Sequence, residues 1–176
     1  MFHVELILSG LANKGKRVYL FLFLFLISCG ITRQRTEISD FLILEQGKGN
    51  VGNKSLNAFV FENSQRKIIF QQYVSAKFKT NSFFERELWV TISGDQYKLL
   101  FYDNDEFDKY FGLSNFTVIN QETEVNTIAN ASKFIAISVV NSNNEDVLSE
   151  ESLSRNIVIT YLNNLKDDYL KNNGSF

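Results

Sequence analysis

Glu87-Leu-Trp-Val-Thr-Ile-Ser-Gly-Asp-Gln-Tyr-Lys-Leu-Leu-Phe-Tyr102 is the stretch that decides the fold class. Two runs rich in β-branched, aromatic and aliphatic residues, Glu87–Ser93 and Tyr97–Tyr102, flank Gly94-Asp95. A short glycine-containing turn between two such runs predicts a β-hairpin. Directly downstream, Asp103 with Glu106 three positions later is the pattern of a capping box, and Gly112 is placed to stop the helix. The segment therefore predicts two antiparallel strands running into a short capped helix through Tyr110.

Further elements flank this segment on either side. Phe41-Leu-Ile-Leu44 reads as a short strand, and Gln46–Asn53 as a glycine- and asparagine-rich connection. Beyond it, Leu56, Ala58 and Val60 alternate with Asn57, Phe59 and Phe61 as in another strand. Ile68–Phe78 reads as a helix, because Phe70, Val74 and Phe78 share a face joined by Ile69 and Tyr73. Phe116–Asn120 and Phe134–Val140 are further strands. Ser149, followed by Glu150 and Glu151, predicts the start of a last helix with acids at the positive end of its dipole. Leu153, Ile157, Tyr161, Leu165 and Tyr169 form an i, i+4 ladder along it, and Gly174 is its stop. Strand pairs joined by turns and interrupted by helices predict an α+β fold. The expectation is a single small domain with a largely antiparallel sheet and about three helices, occupying residues 41–176. No internal repeat is visible.

The N-terminal region has a different character. Lys14, Lys16 and Arg17 precede ten apolar residues, Val18–Ile27, followed by Ser28-Cys29-Gly30. A basic patch, a short apolar core and a small-residue exit form the pattern of a secretory signal peptide. Ten helical residues span about 15 Å, half of a hydrocarbon layer of roughly 30 Å, so this run is too short to be a membrane span. The exit Leu26-Ile27-Ser28-Cys29 resembles the lipobox of bacterial lipoprotein precursors. That resemblance covers residues 14–30. It implies cleavage by signal peptidase II before Cys29, and acylation of Cys29 with diacylglyceryl and usually a third chain such as palmitate. Residues 1–28 are then the signal peptide, with 1–13 either an over-extended start or a long basic region. Residues 29–40 are the lipidated Cys and a polar tether, of which the eleven residues Gly30–Asp40 reach at most about 36–40 Å. With Gly30 rather than Asp after the Cys, the resemblance implies the outer membrane over the inner.

Composition then limits the chemistry of residues 29–176. Removing Glu5, Lys14, Lys16 and Arg17 from 18 basic and 20 acidic residues leaves fifteen and nineteen, a formal charge of −4. That balance argues against a nucleic-acid partner. The lone histidine, His3, lies in the leader, and the lone cysteine is Cys29. Ser-His-Asp and Cys-His catalysis, imidazole proton shuttling and Cys/His zinc sites all lack their residues.

Several stretches resemble functional motifs without completing them. Gly47-Lys-Gly-Asn-Val-Gly52-Asn-Lys-Ser55 contains a literal G-x-G-x-x-G, but Asn53 separates the last glycine from Lys54, and the sequence that follows alternates like a strand instead of opening a helix. A connection is expected there, and no nucleotide. Ser64-Gln-Arg-Lys67 has the S-x-x-K spacing of penicillin-binding proteins and β-lactamases without their companion motifs, so Ser64 reads as a helix cap beside Asn63. Asp103–Asp108 is acidic but lacks the glycine and twelfth-position glutamate of a Ca²⁺ loop, and helix capping accounts for it. The aromatic residues, including Phe59/Phe61, Phe83-Phe84 and Phe107/Tyr110/Phe111, read chiefly as core, with Trp89 marking one sheet face.

The functional expectation is a membrane-anchored envelope lipoprotein that works as a non-enzymatic binding, scaffold or inhibitor/immunity module. Its partners would be the membrane, through Cys29, and an envelope protein. A small-ligand carrier with an aromatic pocket is the alternative. A hydrolase using a carboxylate pair, Glu85/Glu87 or Asp103/Asp105, is a weaker one. No catalytic, cofactor-binding or metal-ligating residue is assigned.

Overall fold

The computed structural model describes residues 35–49, 55–64, 69–82, 86–118 and 132–171. Contacts divide the chain after Gln34, and every described residue belongs to the second unit, which begins at Arg35. Its strands are β1 (Thr36–Glu37), β2 (Leu42–Leu44), β3 (Ala58–Glu62), β4 (Glu87–Ile92), β5 (Asp95–Phe101), β6 (Phe116–Thr117) and β7 (Phe134–Asn141). Its helices are α1 (Phe70–Phe78), α2 (Asn104–Phe111) and α3 (Arg155–Lys171). The expected α+β class, with three helices on an antiparallel sheet, is what forms: five strands in the order β2-β3-β7-β5-β4, every neighbouring pair antiparallel.

The two sheet faces are covered by different layers. Phe59, Phe61, Val90, Ile92, Tyr97, Leu99, Phe101, Ile135, Ile137 and Val139 project to one side. There they pack with Phe70, Tyr73 and Val74 of α1 and with Val158, Leu162, Leu165 and Tyr169 of α3. Ala58, Val60, Phe134 and Ala136 project to the other side against Tyr102, Ile38 and the α2 residues Phe107 and Phe111. Because helices cover both faces here, all five residues of β3 are buried, and the alternation expected for Leu56–Phe61 is apolar on both sides. The aromatic core reading holds at the centre, where the rings of Phe61, Phe70 and Tyr169 meet edge to face with centroids 4.9–6.5 Å apart.

Four local expectations are corrected. The hairpin turn is Ser93-Gly94 and not Gly94-Asp95: Ile92 pairs with Asp95, and both turn residues have positive φ, 53° and 98°, as a type I′ turn requires. Phe116–Thr117 pairs in parallel with Thr36–Glu37 in a separate small sheet instead of joining the main one. Ser64 is not the cap of α1, whose N-cap is Ile69. Ser149 does not start α3. Residues 149–154 form successive turns, with Ser152 N–H donating to Ser149 O and Arg155 N–H to Ser152 O, before the helix begins at Arg155. The cause lies just upstream, where Val147 and Leu148 are buried in the core and Arg155 Nε reaches back to Leu148 O at 3.0 Å.

Candidate functional site

Cys29, His3 and the leader lie outside the described residues, as do Glu85, Phe83-Phe84, Lys67, the Gly52-Asn-Lys54 part of the glycine-rich stretch, and Gly174. What the structure brings together is a polar cluster where the 45–57 connection, the start of β4 and the N-terminus of α2 meet.

Asp103 and Glu106 form the expected capping box. The Asp103 carboxylate accepts from Glu106 N–H at 2.8 Å, the Glu106 carboxylate accepts from Asp103 N–H at 3.3 Å, and Gly112 ends the helix in the left-handed conformation. Arg86 Nη2 lies 2.7 Å from Asp103 Oδ2, and Lys48 Nζ lies 2.9 Å from Glu106 Oε2. Arg86 Nη1 also lies 3.9 Å from Glu106 Oε1, so Arg86 bridges both carboxylates of the cap and Lys48 adds a second cation at Glu106, besides the positive end of the α2 dipole. Of the pairs offered for carboxylate chemistry, Asp103 is committed to the cap and to Arg86, while Glu87 lies 3.4 Å from Lys98. Asp108 Oδ1 accepts from Leu113 N–H at 2.8 Å. Among the described residues, no group of three or more His, Cys, Asp or Glu side chains is arranged to hold a metal ion.

The glycine-rich stretch begins inside this cluster, and its first residues have structural work. A Cβ on Gly47 would lie 2.1 Å from the Tyr102 hydroxyl and 2.6 Å from Leu56 O, so the close approach of Tyr102 requires glycine there. Gly47 N–H donates to Leu56 O, and Gly49 bridges Ser55 antiparallel, which makes the stretch the connection of the β2–β3 hairpin. Lys48 lies over the Tyr102 ring, 5.1 Å from its centroid. A relay of fixed direction runs through the same place. Lys48 N–H donates to Tyr102 Oη at 2.8 Å, and Ser138 Oγ donates to Asn57 O at 2.7 Å, so Tyr102 must donate to Ser138 Oγ, 2.7 Å away. Burial pushes the Tyr102 phenol up, against the lowering effect of its bonds to Ser138 and the Lys48 amide, and so keeps it a neutral donor.

Beside the cluster opens a cleft of about 370 Å³, with Ile69 and the buried Phe101 as its apolar part and Gln71, Arg86, Asp103 and Asn104 as its polar rim. A second, polar hollow of about 250 Å³ lies at the hairpin tip, between Asp95, Gln96, Asn141 and Ser152. Sequence reasoning found Asp103 and Glu106, because capping is local. It missed Arg86 and Lys48 as their partners, and Tyr102 as the partner of Lys48, because those contacts join residues far apart in the chain, Arg86 and Asp103 by 17 positions and Lys48 and Tyr102 by 54.

Comparison with protein-family models, with curated proteins and with solved structures finds no match to this chain. No helix among the described residues is long and apolar enough to cross a membrane.

Proposed function

We propose that the chain is a lipid-anchored protein of a bacterial cell envelope, held through Cys29, whose folded domain acts as a non-enzymatic binding module, either a scaffold or an inhibitor, for an envelope protein. One observation carries the anchor: the only cysteine of the chain stands at the last position of Leu26-Ile27-Ser28-Cys29, directly after a basic patch and a ten-residue apolar run. Two or three acyl chains suffice for stable attachment without a spanning helix. Support for binding over catalysis comes from chemistry. Residues 30–176 contain neither histidine nor cysteine, and the carboxylates of the polar cluster serve a helix cap and its counter-ions.

Cys29→Ser tests the anchor. Wild-type chain is expected in the membrane fraction carrying a lipid label, and the variant unlabelled and released from it. Wild type that takes up no lipid and fractionates as the variant does overturns the reading. In-cell crosslinking of the tagged wild type beside Cys29→Ser tests the binding role, with one stoichiometric envelope protein expected and lost together with the anchor.

The cleft favours a second reading, a carrier for a small ligand with an apolar part. Thermal stabilisation by an apolar or glycan ligand, abolished by filling the cleft at Gln71 with Trp, would support it.

A further inference from the structure

The outer edge of the sheet has a property that its register makes explicit. Among the described residues, β4 is the terminal strand beyond β5. Ile92 and Asp95 close a two-residue type I′ turn and so form a hydrogen-bonded pair, and Phe101 N–H donates to Arg86 O at 2.9 Å. Arg86, Leu88, Val90 and Ile92 therefore direct their backbone groups to β5. Glu87, Trp89 and Thr91 direct theirs away from the sheet, and the side chains of these same three residues are exposed, Trp89 at 51%. The strand is six residues long, with no lysine and no proline, and is built mostly of strong strand formers. Those features leave an edge open to pairing. The opposite edge, β2, is only three residues long.

We propose that β4 pairs with β4 of a second copy of the chain, antiparallel and two-fold symmetric about Trp89. With Trp89 on the axis, the outward-facing residues oppose one another in register: Trp89 to the partner's Trp89, and Glu87 to the partner's Thr91. On the helix-covered face, Leu88 meets the partner's Val90. Charge fits this register. No like charges stand opposite each other, because each Lys98 stays over its own Trp89 ring, 5.3 Å from the centroid, and 3.4 Å from its own Glu87. A foreign extended peptide could use the same backbone groups, but it would have to bring an apolar residue opposite Trp89, which the symmetric copy supplies by construction. A pair of six-residue edges is smaller than a standard interface of about 1,600 Å², so the dimer exchanges and is read best by a register-specific crosslink.

The experiment uses the full chain in a Cys29→Ser background, so that an introduced thiol is the only one and the outcome does not depend on the lipid anchor. Glu87→Cys and Thr91→Cys, which both keep Trp89, are oxidised under mild conditions separately and as an equimolar mixture. In the proposed register, position 87 faces the partner's position 91 at a Cα distance of about 5.5 Å, within disulfide reach, whereas each position lies about 14 Å from itself. At least five times more disulfide dimer is expected from the mixture than from either variant alone. Equal yields, or no dimer from the mixture, overturn the proposal. Trp89→Glu, which places two carboxylates on the axis and gives Lys98 an opposite charge across the β4–β5 ladder, should sediment as monomer at concentrations where the Trp89-containing chain dimerises. Identical sedimentation of the two also overturns it.

Discussion

The Asp146 carboxylate accepts N–H bonds from Asn57 at 2.7 Å and from Leu148 at 2.9 Å, yet burial outweighs these bonds and holds its pKa above the ordinary value near 3.8. The native state thus keeps a proton on Asp146 in a window where the unfolded chain has lost it. The resulting stabilisation is complete below about pH 3.8 and disappears as pH rises through the folded value. Asp146→Asn removes this titration and turns an amide nitrogen toward one of the N–H donors, for a loss of about 1–3 kcal/mol. In urea titrations, the advantage of the wild type over Asp146→Asn should shrink between pH 3.5 and 6.5; an advantage that grows with pH would contradict the raised pKa. At this scale sequence reading succeeds where the determinant is local. Asp103, Glu106 and Gly112 form one helix with its two ends, and all three roles could be read directly. Gly47 could not, because the atom that demands glycine belongs to Tyr102, far along the chain.

Helix α3 shows how an apolar pattern can be right about the element and about only part of its face: Leu165 and Tyr169 of the ladder are buried and Tyr161 packs against the core, whereas its first members are exposed. The ladder Leu153, Ile157, Tyr161, Leu165, Tyr169 advances four residues at a time, which drifts about 40° per step on a helix of 3.6 residues per turn. Over four steps it winds through about 160° and cannot stay on one face. The buried row is Val158, Leu162, Leu165 and Tyr169, which mixes steps of four and three. Leu153 is fully exposed, and Ile157 is 42% exposed. Leu162→Ala is therefore expected to lose about 2–5 kcal/mol of stability, and Ile157→Ala less than about 0.5 kcal/mol, both read as shifts in the denaturation midpoint. Equal losses would place the helix in the face implied by the ladder.

For the molecule as a whole, hairpin and capping signals were enough to reach an α+β fold, because each is written within a dozen residues. The layering was not legible. Nothing in Leu56–Phe61 says that both sides of that strand will be covered, and nothing in Gly30–Asp40 marks Ile38 as a core residue. Ile38 is buried against Phe107 and Phe111, and Asp40 ion-pairs with the buried Lys166 of α3, so Arg35–Asp40, read from sequence as tether, lies against the domain. The cleft is likewise assembled from segments that only the tertiary structure brings together.

The position of β7 has a consequence in time. The last strand among the described residues lies at the middle of the sheet, between the β2–β3 hairpin and the β4–β5 hairpin. A chain emerging from its N-terminus can make either hairpin early, but small isolated hairpins are marginal in water, and among the described residues no strand pairs with both until residues 134–141 arrive. A chain stopped at Lys133 should therefore show no strand amides protected from hydrogen exchange, whereas one stopped at Lys171 should show the full set. Until then each hairpin keeps one edge exposed, and the five-stranded sheet closes only after most of the chain has been made.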